Sequence, residues 1–201
     1  MIDLAIVALT FGAIFVVELP DKTFIATLVL STKFRPLLVW LGVGLAFTAQ
    51  TGVAVALGHA ASFLPADAVR ILSLLMFLAG AVILFREGRS HQVDSGEEYA
   101  AKATSKGRNV TGIRAVGASF LVLFAAEWGD LSQLLTLTLV ARYEDPASVF
   151  VGALGALLAV SGLAVLTGRA LLRVVPLHAL HYVGAAVCLL LAAFTAYELV
   201  A

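Results

Sequence analysis

The stretch Glu18-Leu19-Pro20-Asp21-Lys22-Thr23 lies inside a long apolar run, and Glu127-Trp128-Gly129-Asp130-Leu131-Ser132 repeats its acid spacing 109 residues later. The correspondence extends downstream: Thr27 falls on Thr136, Leu30 on Leu139 and Lys33 on Arg142. After a one-residue insertion Trp40 falls on Phe150, Gly42 on Gly152, Gly52 on Gly162 and Gly58 on Gly168. Leucine matches are cheap in an apolar chain, but a duplicated Glu-x-x-Asp in register with these glycines is not, so the chain reads as two copies of one unit.

Around the two motifs the apolar stretches run 2–31, 36–60, 68–86, 113–140, 146–169 and 177–199. Each is close to or above the roughly 20 residues of helix that cross a bilayer, and alternating strand patterning is absent. The chain of 201 residues is 61% hydrophobic and 13% charged, too apolar for a water-soluble domain. The expected fold is an all-α integral membrane protein of six transmembrane helices. Residues 1–87 form the first three-helix repeat, 88–112 a polar linker with nothing to bury, and 113–201 the second repeat. Three spans per repeat is an odd number, so the second repeat enters from the opposite side. Inverted repeats of this kind build many secondary transporters, with the site at the midplane where the halves meet.

Orientation follows from Lys and Arg at the span ends. One side carries Lys33, Arg35, Arg86, Arg89, Lys102, Lys106, Arg108, Arg114, Arg169 and Arg173; the other carries Arg70 and Arg142. The linker is therefore expected in the cytoplasm and both termini outside it. Met1-Ile2-Asp3 lacks the basic region of a cleavable signal, so the first apolar segment is expected to be retained. Formal net charge is zero and gives no sign of a nucleic-acid partner. Cys188 cannot form an internal disulfide, and packing accounts for it. The sequon Asn109-Val110-Thr111 would be inert in a cytoplasmic linker, and His59, His178 and His181 read as interfacial hydrogen-bonding groups.

The central readings concern the acids. Counted along a straight helix from residue 2, Glu18 and Asp21 lie roughly 24 to 28 Å in, and Glu127 and Asp130 are similarly central in theirs. A charge there costs at least about 2.5 kcal/mol, which makes such residues functional candidates. The i, i+3 spacing puts each Glu and Asp on one helix face. A pocket of four carboxylates suits a hard divalent cation, whereas soft metals would want thiolate or imidazole, and no Cys or His lies in either motif. Thr23, Thr27, Gln50, Thr51, Ser132, Gln133, Thr136 and Ser161 are candidate additional ligands or gating groups, interhelical hydrogen bonding being the alternative. Pro20 lacks an N–H, which frees the Val16 carbonyl, and Gly129 loosens the equivalent backbone. Protons compete with a cation for crowded carboxylates, the minimum requirement of an antiporter. Lys22 is a candidate for charge balance in the empty site.

The two motifs resemble the paired Glu-x-Gly-Asp-(Lys/Arg)-(Thr/Ser) signatures of the Golgi-type Mn/Ca:proton antiporter family, also called the calcium:cation antiporter-2 family, over nearly the whole chain. The resemblance implies exchange of Mn2+, or of Ca2+, for protons, with Glu18, Asp21, Glu127 and Asp130 as acidic ligands, no prosthetic group and no enzymatic activity. Pro20 departs from the usual Gly and Leu131 from the usual basic residue. The short chain resembles a prokaryotic manganese exporter of the plasma membrane more than a Golgi protein. Two rivals remain on the residues alone: an exporter of amino acids or other organic solutes, and an intramembrane aspartyl protease using Asp21 and Asp130. The Gly-x-Gly-Asp signature of the latter is absent.

Overall fold

The computed structural model describes residues 2–19, 22–90, 112–126, 128–174 and 177–200. These form eight α-helices and no strands: α1 (Leu4–Glu18), α2 (Lys22–Lys33), α3 (Pro36–Ala61), α4 (Ala66–Ser90), α5 (Ile113–Ala126), α6 (Leu131–Tyr143), α7 (Pro146–Val174) and α8 (Leu177–Val200). The all-α expectation holds. Nearly all of the expected linker, residues 91–111, lies outside the described residues.

Local chemistry sets the helix limits. The Asp3 side chain accepts from the amides of Ala5 and Ile6 and caps α1. Pro36 and Pro146 open α3 and α7, where a missing N–H costs nothing. The last bond of α1 runs from Leu19 N to Phe15 O, immediately before Pro20. Gly129, at φ +79, and Asp130, in extended conformation, separate α5 from α6.

The first and fourth apolar segments are thus interrupted rather than straight. Between Leu4–Glu18 and Thr23–Thr32 the axis turns by 69°. A depth counted at constant rise through residue 21 is therefore not a position in the bilayer, and the sequence estimate is corrected at this point. Among the described residues three helices are individually long and apolar enough to cross a bilayer, within α3, α4 and α7, and α1 with α2 makes a fourth if taken as one broken span. Exposed faces of α3, α4 and α8 carry Leu45, Leu57, Leu75, Val82, Leu190 and Phe194, a surface suited to lipid.

The halves interlock. α3, from the first half of the sequence, packs along both α5 and α6, whereas α7 packs along both α1 and α2. α3 and α7 also pack on each other, and α4 pairs with α8. At the crossings glycine lets backbones touch. A Cβ on Gly42 would lie 2.4 Å from the Val116 carbonyl oxygen, 2.9 Å from Ser119 Cβ and 3.1 Å from Phe120 N. A Cβ on Gly152 would lie 2.7 Å from the Val7 carbonyl oxygen, 2.9 Å from Thr10 Cβ and 3.2 Å from Phe11 N. Val7, Thr10 and Phe11 stand 109 residues before Val116, Ser119 and Phe120.

One polar tie joins the start of α1 to the start of α7. Asp3 N donates to Ser148 Oγ at 2.8 Å; Ser148 N donates to Asp145 Oδ1 at 3.1 Å and its hydroxyl to Oδ2. These bonds from Ser148 hold the Asp145 carboxyl below its ordinary value of 3.8.

Two predictions follow from this packing. Gly42→Ala and Gly152→Ala each lower the thermal midpoint of the detergent-solubilised protein, at about 1–3 kcal/mol for a forced contact. Gly12→Ala and Gly52→Ala, where nothing lies within 4 Å, leave it unchanged; equal midpoints for all four would mean the crossings are loose. Because folding depresses the Asp145 pKa, its contribution is present above the ordinary value and lost as pH falls below it. Acid titration of unfolding should therefore have a component below about pH 4 that Ser148→Ala reduces, the residue 148 amide still bonding Asp145, and an unchanged acid limb would count against the tie.

Candidate functional site

The chemistry concentrates at the two interruptions. At the first, Glu18 is the last residue of α1 and only 1% exposed. The C-terminal end of a helix carries partial negative charge, so a carboxylate there is repelled by its own helix and by burial together. One compensating contact crosses the break: Thr23 Oγ1, in the first turn of α2, donates to Glu18 Oε2 at 3.0 Å. Asp21 and Pro20 lie outside the described residues. Lys22 opens α2.

At the second interruption, Asp130 is the N-cap residue of α6 and half-buried, with its carboxylate not bonded to the amides of its own helix. Glu127 lies outside the described residues. Gln133 Oε1 accepts from Gly129 N at 2.9 Å, and Gln50 Nε2, from α3, donates to Phe124 O at 2.9 Å. Phe124 is in the last turn of α5, where carbonyls lose their helical partners. Both glutamines expected as candidate ligands thus bind backbone at this break.

The remaining candidates are buried but serve different bonds. Thr136 Oγ1 donates to Ser132 O at 2.7 Å within α6, and Ser161 Oγ to Leu158 O at 3.1 Å within α7. Ser132 and Thr51 are buried. The hydroxyl of Thr27, 1% exposed, has no hydrogen-bond partner among the described residues. No group of three or more His, Cys, Asp or Glu side chains comes together among the described residues, two of the four motif acids lying outside them. A separate cavity of about 400 Å3 lies at the far end of α6 and is lined by Ser62, Leu64, Arg70, Arg142, Tyr143 and Glu144. Arg142 there donates to Thr195 and lies over the Tyr143 and Phe194 rings, so two guanidiniums make it a poor cation site.

Sequence reasoning passed over Thr10 and Ser119. Both are fully buried, their hydroxyls have no partner among the described residues, and each faces a crossing glycine. The 109-residue offset that aligns the acids also aligns this pair, so extending the alignment upstream would have found them.

Interrupted apolar helices with acids and hydroxyls at the breaks are the architecture of a membrane transporter. The family model described as "Divalent cation/proton antiporter GDT1" matches residues 6–92 and 115–201, and the chain belongs to this family of transporters, not of enzymes. It is 30% identical over 199 residues to a Vibrio cholerae protein called "Putative manganese exporter", covering 96% of this chain and 92% of that one. It is 31% identical over 211 residues to the Arabidopsis thaliana protein PAM71, chloroplastic, and 29% identical over 206 to its PAM71-homolog. These cover 96% and 92% of this chain, which spans 57% of the length of either chloroplast protein. No solved structure matches the chain at a significant level.

Stranding the buried Glu18 oxygen should cost about 1–3 kcal/mol. Thr23→Val therefore lowers the thermal midpoint and Thr23→Ser restores it; equal midpoints for Val and Ser would show that the hydroxyl contributes nothing.

Proposed function

We propose that this chain exchanges a divalent cation for protons across the cell membrane, exporting Mn2+ from the cytoplasm, with Ca2+ as the alternative cargo. Glu18, Asp21, Glu127 and Asp130 would hold the cation between two inverted halves, each of three spans once α1 with α2 and α5 with α6 are taken as single broken spans.

The observation that carries this reading is the paired crossing. Gly42 meets Val116, Ser119 and Phe120, while Gly152 meets Val7, Thr10 and Phe11, the same contact made twice with the halves exchanged. A chain that packs in this way covers each interrupted segment with a helix from the other half, α7 over α1 and α2 and α3 over α5 and α6. The stretches matched by the family model support it as well: 6 to 115 and 92 to 201 are both steps of 109. The printed name of the Vibrio relative favours manganese. Lys and Arg distribution favours the linker in the cytoplasm and both termini outside.

The chemistry is competition for oxygen. Carboxylates at a broken helix in low dielectric bind either a divalent ion or protons, and each occupant expels the other. Hydroxyls of Thr23, Thr27, Ser132 and Thr136 supply neutral oxygens nearby, and Lys22 offsets the charge of the empty state. Neither an organic-solute exporter nor a protease needs the duplicated Glu.

The test is cation uptake into proteoliposomes under an imposed proton gradient, comparing Mn2+, Ca2+ and Mg2+. Glu18→Gln and Asp130→Asn keep an oxygen but lose charge and proton affinity, and each should lower exchange by roughly 10- to 100-fold, at least as much as loss of a supporting partner does. Wild-type exchange by both variants would remove the carboxylate site, and uptake indifferent to the proton gradient would remove the coupling.

A further inference from the structure

We infer that Gln50 and Gln133 are a backbone clamp that sets the geometry of the second interruption, rather than ligands of the cation. The inference rests on the proposed site, whose Glu127 falls within the clamped stretch of sequence and whose Asp130 directly follows it.

Hydrogen-bond chemistry fixes which end of each amide faces the break. A backbone N–H can only donate, so the Gln133 atom 2.9 Å from Gly129 N is the carbonyl oxygen. A backbone carbonyl can only accept, so the Gln50 atom 2.9 Å from Phe124 O is the amide nitrogen. Gln50 thereby satisfies a carbonyl stranded at the end of α5, and Gln133, in the first turn of α6, reaches back to the amide just before the N-cap Asp130. The residues gripped, Phe124 and Gly129, bracket Glu127. Gly129 is held at φ +79, a conformation glycine adopts without strain but also leaves without strain.

The first interruption explains why the clamp is one-sided. Positions corresponding to Gln133 and Gln50 are Phe24 and Val160, at offsets of 109 and 110. Both are buried, and they belong to one apolar cluster with Ile25 and Ala164. The first break contains Pro20, which has no N–H to bond and cannot sit in a continuous helix interior. Proline leaves one amide fewer to satisfy at its break, whereas glycine keeps an N–H, and Gln133 accepts it.

The experiment uses the full chain in proteoliposomes, with Mn2+ as probe and half-saturation and maximal rate measured separately. Gln133→Met removes the acceptor and Gln133→Glu keeps it; Gln50→Met removes the donor, and Gln50→Glu removes it at a pH where the new carboxyl is ionised. The clamp predicts that Gln133→Met, Gln50→Met and Gln50→Glu raise the half-saturating Mn2+ concentration roughly tenfold, the loss expected of a supporting residue, while Gln133→Glu recovers most of it. A ligand role predicts that both Glu variants keep or tighten binding, since each retains an oxygen. Wild-type half-saturation in Gln50→Glu, or equal impairment of Gln133→Glu and Gln133→Met, overturns the clamp. Hydrogen exchange at the Gly129 amide gives a reading independent of transport: it should be faster in Gln133→Met than in Gln133→Glu. If the wild-type chain moves no divalent cation, the transport reading fails while this comparison still decides the clamp.

Discussion

A backbone interrupted among apolar helices is the constraint on which this structure turns. Water satisfies a helix end in a soluble protein, but in lipid each stranded amide or carbonyl must find a protein partner. The chain interrupts itself twice, after Glu18 and after Ala126, and puts acids at both places. It therefore needs neighbours that stay beside the breaks, and the packing supplies them from the opposite half of the sequence. α7 covers α1 and α2, and α3 covers α5 and α6. Without α7 the faces of α1 and α2 that meet it would be uncovered, as would those of α5 and α6 without α3.

Close approach makes this exchange of partners possible. Gly42 and Gly152 allow backbone to touch backbone at the two crossings, with Ser119 and Thr10 as the facing side chains. Such contacts gain dispersion over a large area and strand no long side chain, the usual route to helix association where no hydrophobic drive exists between lipid and protein. The hydroxyls of Thr10 and Ser119, which have no partner among the described residues, sit at these contacts. Larger residues at these four positions would separate α1 from α7 and α5 from α3, and with them the acids from the helices that shield them.

Much of this was legible in the sequence, for a physical reason. A carboxylate inside an apolar run is costly, so position singles out Glu18, Asp21, Glu127 and Asp130 as candidates, and the described residues put Glu18 and Asp130 at the two breaks, the second beside Gly129. The helical class followed from run length. Depth did not follow, because a residue count along one axis cannot register a turn of 69°. Nor did the work of Gln50. An amide carries both a donor and an acceptor, and only packing across 74 residues of chain decides that its nitrogen faces Phe124 O. The tie from Asp3 to Ser148 spans 145 residues and escapes sequence pattern in the same way.

Equal acids do not make equal halves. Glu18 sits at the end of a helix, buried, with a threonine hydroxyl on one oxygen; Asp130 sits at the start of a helix, half-buried, where the amides' partial positive charge favours an anion. The two carboxylates thus stand at opposite ends of a helix dipole. The backbone differs as well. Pro20 has no N–H to donate, whereas Gly129 keeps its N–H and gives it to Gln133 Oε1. Duplication followed by this divergence leaves two acidic breaks with different partners, a buried glutamate tied to a threonine hydroxyl at one and a glycine amide tied to a glutamine at the other.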